Sequence, residues 1–250
     1  LDGVFLFGQA VNMIETSQRA KNVLAYATNL TALAAVAAYH GRASAWKGKP
    51  MTAVVDEAYA YGMGDYLQAL LQGHDLPAAR RKAVAAKLQA MTGVTADYYL
   101  ANDLQITKIA FLRELMKDTN QLVGMYDARY VGPAPAAGQR PADPFSGVIG
   151  VIQPAMLAHY RETLGVTWPA SDYRGQAPST GGWAWNGTLG PGGPFLDFDY
   201  QARINPAFAA NPKFRLMIGT GIYDLTTTVG PARYMVTKSD WPRDRVIQRE

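Results

Sequence analysis

Apolar positions recur along this chain with two different periods, and their order predicts an α/β arrangement. Residues 1–7, "LDGVFLF", are nearly all apolar and too few for a helix, which predicts a strand buried on both faces. Residues 8–12 then form a loop at its carboxyl end. From Gln18 the spacing becomes helical: Val23, Tyr26, Leu30, Leu33 and Ala37 recur at three and four residues until Gly41 offers a stop. Thr28, Asn29 and Thr31 are weak helix formers and allow a break inside that segment.

More helices are predicted downstream. Thr52 is a candidate N-cap for a segment whose apolar face runs through Val55, Tyr59, Tyr66, Leu67 and Leu70 to Gly73. Pro77 suits a first turn above Val84, Leu88 and Met91, with Gly93 closing the helix. Thr107 caps a further segment carrying Ile109, Leu112 and Leu115. Residues 53–117 hold no convincing buried strand and read as a helical block. Residues 124–147 begin strand-like and continue as a Pro-, Ala- and Gly-rich connection. Residues 149–164 are again helical, with Ile152, Met156, His159 and Tyr160 on one face.

The last quarter carries the pattern that bears on function. A second apolar run, "FRLMI" at residues 214–218, ends in a Gly-Thr-Gly turn, and Asp224 follows. A helix is predicted from Thr228 to Lys238 despite Pro231, and Arg245, Val246 and Ile247 open another strand. Strand, helical insertion, strand, helix and strand together predict parallel strands with a lid over one edge. Ligands of such sheets bind at the carboxyl ends of the strands, where residues 8–12 and Asp224 both fall.

Composition narrows the function. Apolar residues make up 48% and charged residues 18% of the chain, which excludes a disordered polymer. The net charge of +4 comes with no basic stripe interleaved with aromatics, so nucleic acid is not an expected partner. The chain has no cysteine, which removes disulfides, thiolate catalysis and cysteine-ligated zinc. No apolar stretch reaches the roughly 20 residues needed to span a bilayer, and no export signal is visible. Both ends fall on strand-like sequence and read as cuts.

Two readings of Asp224 stand side by side. A carboxylate before Leu-Thr-Thr-Thr can cap the helix that follows by accepting from its free amides. It can also be the acid of a Ser-Asp-His triad, orienting a histidine and stabilising its charged form. The chain contains no Gly-x-Ser-x-Gly, and His40, His74 and His159 all precede Asp224. Those histidines are too scattered to suggest a metal site. Gln9 and Asn12 lie on a loop that could face a cleft, or simply solubilise it. Asp127 and Arg129 read as a local ion pair. The glycine-rich loop of residues 181–195 places Trp183 and Trp185 either in a side-chain pocket or between lid and core, and it lacks the Gly-Lys-Ser/Thr of a phosphate loop.

Several blocks carry a likeness. "INPAFAANPKFRLMIGTGIYDLTTTVGPARYM" resembles the segment around the catalytic aspartate of bacterial serine carboxypeptidase-like α/β-hydrolases. "LDGVFLFGQAVNM" resembles the strand and loop after the serine helix of that family, and "AVAAYHGR", "VGMYDARYVGP" and the Trp183-Ala-Trp185 loop resemble its insertion domain and return to the core. The likeness covers nearly the whole chain. It implies a partial α/β-hydrolase sheet with a large helical lid: core in residues 1–15, cap in 16–175, and return to the core in 176–250. It implies Asp224 as the triad acid, with Asn12, Trp183 and Trp185 as candidate substrate contacts. The implied activity is hydrolysis of C-terminal peptide bonds, with esterase, acyltransferase or a non-catalytic interaction module as alternatives. No metal or organic cofactor is implied. The implied partners are a peptide substrate and two further segments, one with the Gly-Glu-Ser-Tyr-Gly serine and one with the Gly-Gly-His histidine. An exported location is implied by the likeness alone.

Overall fold

The first apolar run forms strand β1 (Gly3–Phe7) in a computed structural model, which describes residues 1–136, 139, 142–169 and 198–250. A short helix α1 (Met13–Thr16) leads to α2 (Val23–Tyr39). The break allowed near Thr28 does not occur. Thr28 Oγ1 donates to the Leu24 carbonyl at 2.8 Å and Asn29 Nδ2 to the Ala25 carbonyl at 2.5 Å, so both polar side chains fold back on their own helix.

Helix α3 (Met51–Tyr61) starts after Pro50, one residue ahead of the expected Thr52 cap. It continues through a widened turn at Gly62–Tyr66 into α4 (Leu67–Gln72). Next come α5 (Ala78–Thr92), α6 (Ala96–Ala101) and α7 (Lys108–Glu114). Gly93 ends α5 with a φ of 72°, a left-handed stop that suits glycine. Thr95 and Thr107 cap α6 and α7 by accepting from Tyr98 N and Ala110 N at 3.2 and 3.1 Å. The expected helical block over residues 53–117 is therefore present, and α6 is an addition to the reading.

Strands β2 (Gln121–Val123) and β3 (Val131–Pro133) pair antiparallel around the 124–130 turn. Asp127 and Arg129 form the expected ion pair in that turn at 2.6 Å. Helix α8 (Ser146–Glu162) follows, then α9 (Tyr200–Ala210), β4 (Arg215–Gly219), α10 (Val229–Lys238) and β5 (Val246–Arg249). Among the described residues no helix is long and apolar enough to cross a membrane. The glycine-rich segment with Trp183 and Trp185 lies outside the described residues.

The main sheet has the parallel order β1-β4-β5. Its register sets Val4, Leu216 and Val246 in one row, and Phe5, Met217 and Ile247 in the next. Alternate side chains point to opposite faces, so each row commits to one side. The Leu216 and Ile218 face packs with Phe208 of α9, Met235 of α10 and Trp241 into one core. The other face is uncovered among the described residues, leaving Phe5 67% and Phe7 71% exposed. This departs from the doubly buried strand read from residues 1–7, because among the described residues helices lie on one side of the sheet alone.

A second, larger core surrounds α2, whose residues Ala25, Ala27 and Ala32 to Ala37 are buried. A helix apolar all round belongs inside, and α2 is packed by α3, α5 and α10. Two contacts allow no side chain. A Cβ on Gly62 would sit 2.4 Å from the Ala27 carbonyl oxygen, and one on Gly230 would sit 1.9 Å from that of Thr28. Beside the second contact, Thr228 Oγ1 donates to Asn29 Oδ1. Arg233 of α10 pairs with Asp56 of α3 at 2.8 Å and also with Glu250 beyond β5.

Gly230→Ala should destabilise the chain by roughly 1–3 kcal/mol or more, since backbone must move to admit the methyl group. Gly150→Ala, in α8 where an added Cβ meets nothing within 4 Å among the described residues, should instead stabilise by about 0.5–1 kcal/mol. Urea unfolding of both variants reads the contrast. A pH effect is also expected. Burial pushes the phenols of Tyr66 and Tyr99 above the usual 10.0, so the unfolded chain loses these protons first. Stability should fall as pH rises past 10, and Tyr66→Phe should make that fall shallower in unfolding measured on either side of that pH.

Candidate active site

Parallel pairing places the carboxyl ends of β1, β4 and β5 side by side. There, Gly8 N donates to the Gly219 carbonyl at 3.0 Å, and Thr220 N to the Arg249 carbonyl at 3.0 Å. Gly219 lies under the Phe7 ring, where an added Cβ would meet Cδ1 at 2.4 Å. The strand ends enclose a depression of about 370 Å³ lined by Phe7, Gly8, Gly219, Thr220, Gly221, Asp224, Arg249 and Glu250. Asp224 therefore stands beside the Gly8 loop at the carboxyl edge of the sheet, as the order of strands predicted.

The turn bearing Asp224 is held from both sides. Asp224 N donates to the Gly221 carbonyl at 3.1 Å, and Leu225 N to the Met125 carbonyl at 2.9 Å. Ala128 N donates to the Tyr223 carbonyl at 2.9 Å, so the 124–130 turn braces the segment. Leu225 and Val229 are fully buried in the helical core. The carboxylate is loaded unevenly. Its Oδ1 accepts from Thr226 N at 2.6 Å, Thr226 Oγ1 at 2.5 Å and Thr227 N at 3.2 Å. Its Oδ2 accepts, among the described residues, from Thr227 Oγ1 alone, at 2.8 Å. The capping reading is not met: Asp224 accepts from the amides of its own turn, ahead of the helix, and Thr228 stands at the N-cap of α10.

Lys108, the first residue of α7, reaches this turn. Its Nζ donates to the Thr226 carbonyl at 2.7 Å, across 118 positions of sequence. Burial lowers the Lys108 pKa, and the nearby Asp224 charge partly restores it. Gln18 accepts from Lys108 N at 2.9 Å and so fixes the start of α7 against the chain before α2.

A second cavity, of about 400 Å³, is walled by Thr226 and Thr227 of the same turn and by Asn12 and Lys108. Asn12 is also held within the fold. Its φ is 50°, its Oδ1 accepts from Tyr200 N at 2.8 Å and Gln201 N at 3.3 Å, and its Nδ2 donates to Glu15 and Asp199 at 3.2 Å each. The buried amide thus ties the β1 loop to the start of α9. Gln9 accepts from Val11 N at 2.6 Å.

The three histidines stand apart. His40 Nε2 lies 2.7 Å from the Ala128 carbonyl, His74 sits in the Gly73–Asp75 turn, and His159 is on α8 beside Tyr160. Among the described residues Asp224 hydrogen-bonds to Thr226 and Thr227 alone, and no three His, Asp or Glu side chains gather as a metal-ligand set.

Sequence reasoning missed Lys108, Thr226, Thr227 and Thr220. The threonines were within reach, since Asp followed at two and three residues by Thr is a local turn signal. The Thr220 hydroxyl is buried with no hydrogen-bond partner among the described residues. Lys108 carries no local signal at all. No family model, no curated protein and no solved structure matches the chain.

Asp224→Ala leaves both threonine amides and hydroxyls without their acceptor and should cost about 1–2 kcal/mol. Asp224→Asn keeps an oxygen for the amides and should cost less than half of that. Unfolding of both variants beside the parent chain reads the difference.

Proposed function

We propose that the chain is the acid-bearing and cap-bearing portion of a serine-type α/β-hydrolase acting as a carboxypeptidase, with Asp224 as the triad acid. The observation that carries this reading is the uneven loading of the Asp224 carboxylate. A carboxylate offers about four lone-pair sites. Three donors converge on Oδ1, while Oδ2 takes one hydroxyl and keeps capacity for a further donor beside the strand-end depression. A triad acid needs that capacity, because it must accept the imidazole N–H while staying fixed itself.

On this reading Thr226 and Thr227 hold the carboxylate, and Lys108 holds the Thr226 carbonyl and so the turn. Asp224 orients the histidine and stabilises its charged form. The serine Oγ attacks the last peptide carbonyl, histidine takes the hydroxyl proton and passes it to the leaving amine, and water then releases the acyl group. Serine and histidine belong to polypeptide beyond these 250 residues. Among the described residues the sheet face with Phe5, Phe7, Met217 and Ile247 has no helix over it, which supports this, since parallel sheets are generally covered on both faces.

The test uses the native protein. Intact mass and N-terminal sequencing of every denatured species are expected to reveal the serine-bearing and histidine-bearing segments. Hydrolysis of N-blocked dipeptides should then fall by roughly 10⁴-fold in the Asp224→Ala enzyme, which should remain folded. Undiminished hydrolysis in that variant removes the assignment. Turnover of simple esters without turnover of dipeptides would give the esterase reading instead.

A further inference from the structure

The 400 Å³ cavity next to the Asp224 turn contains two opposite charges that do not pair with each other. Lys108 and Glu15 both line it, both are half-buried, and neither makes an ion pair among the described residues. The Lys108 ammonium has three N–H donors and gives one to the Thr226 carbonyl. The Glu15 carboxylate accepts, among the described residues, from Asn12 Nδ2 alone, at 3.2 Å. The neutral amides around them are engaged inside the protein. Asn12 bridges to α9 and to Glu15, Gln18 bonds Lys108 N and the Ile106 carbonyl, and Asn29 bonds the Ala25 carbonyl and the Thr228 hydroxyl. The two charged groups of this lining, one cation and one anion, both keep unused hydrogen-bonding capacity.

Met13, Met125, Leu225 and Met235 give the same space a largely apolar wall, which Thr16, Ser17 and Tyr234 interrupt, the Tyr234 phenol within the field of the Glu15 charge. A mainly apolar cavity of a few hundred Å³ with a few convergent polar groups is the usual form of a small-molecule site. Methionine adapts to ligands of varied shape. A partly desolvated ammonium and carboxylate that do not meet each other are each stabilised by an opposite charge brought in from outside.

We propose that this cavity binds a zwitterion with an apolar side chain: a free amino acid, or a short peptide with both termini free. Lys108 holds its carboxylate, Glu15 holds its ammonium, and the methionines and Leu225 cover its side chain. The inference rests on charge and cavity alone and stands apart from the triad reading. The site shares Thr226 and Thr227 with the Asp224 turn, but it is not the strand-end depression that Asp224 lines.

Calorimetric titration of the native protein with leucine, leucyl-leucine, N-acetyl-leucine and leucinamide tests it without any activity assay. Leucine or leucyl-leucine is expected to bind. N-acetyl-leucine and leucinamide, each lacking one charge, should bind at least about tenfold more weakly, as loss of a charged hydrogen bond implies. Lys108→Met should bring leucine down to the level of leucinamide, and Glu15→Gln to that of N-acetyl-leucine. No binding of leucine or leucyl-leucine at millimolar concentration overturns the proposal, as does equal binding of the blocked and free forms. The ligand series on the parent chain decides the matter even where a variant does not fold.

Discussion

The backbone of α10 lies directly against the backbone of α2 at Gly230, where the Thr28 carbonyl leaves no room for a Cβ. Everything else in the fold depends on this approach. Helix α10 covers one face of the parallel sheet with Met235, while its first turn enters the helical core through Val229. It is therefore the element common to both cores. A larger residue at 230 would push α10 away from α2, and α10 would carry with it the turn that holds Asp224. Thr228 and Asn29 close the same joint with a buried hydrogen bond, so its polar groups are satisfied where water is excluded.

The charge distribution around the Asp224 turn follows from that joint. Fixing the start of α10 against α2 brings α7 close enough for Lys108 to reach the Thr226 carbonyl. The ammonium then lies near the Asp224 charge without bonding to it, while amides and hydroxyls of Thr226 and Thr227 hold the carboxylate directly. A carboxylate fixed by neutral donors keeps its negative charge for another partner. A direct Lys108–Asp224 ion pair would neutralise it. The same arrangement leaves the rest of the Lys108 ammonium facing the neighbouring cavity with Glu15.

Much of this was legible in the sequence, for local reasons. Helical spacing gave α2, α5 and α7, and Gly93, Thr107 and Pro77 marked their ends because turn and cap chemistry acts over three or four residues. The run at residues 214–218 gave β4, and its glycine turn placed Asp224 at the strand end. The break allowed near Thr28 is absent because burial holds α2 together: the helix is surrounded on all sides, and propensity yields to packing. Asn12, read from its loop as a residue that could face a cleft, lines the 400 Å³ cavity and also anchors α9, through partners 187 to 189 positions away that no local pattern records.

By itself, then, the sequence determined the three strands of the main sheet and most of the longer helices, their order, the parallel sense of the sheet and the position of Asp224 at its carboxyl edge, while α1, α6, α9 and β2 went unread. Hydrophobic period and turn residues are properties of neighbouring positions, and they can be read without knowing what packs where. Tertiary structure alone decided which partners those residues meet. It brought Lys108 to Thr226, set Gly230 on Thr28, left Phe5 and Phe7 uncovered, and put Glu15 and Lys108 in one cavity unpaired. Each of these depends on distances between segments far apart in the chain. Packing of whole helices and strands sets those distances, and no short stretch of sequence records them.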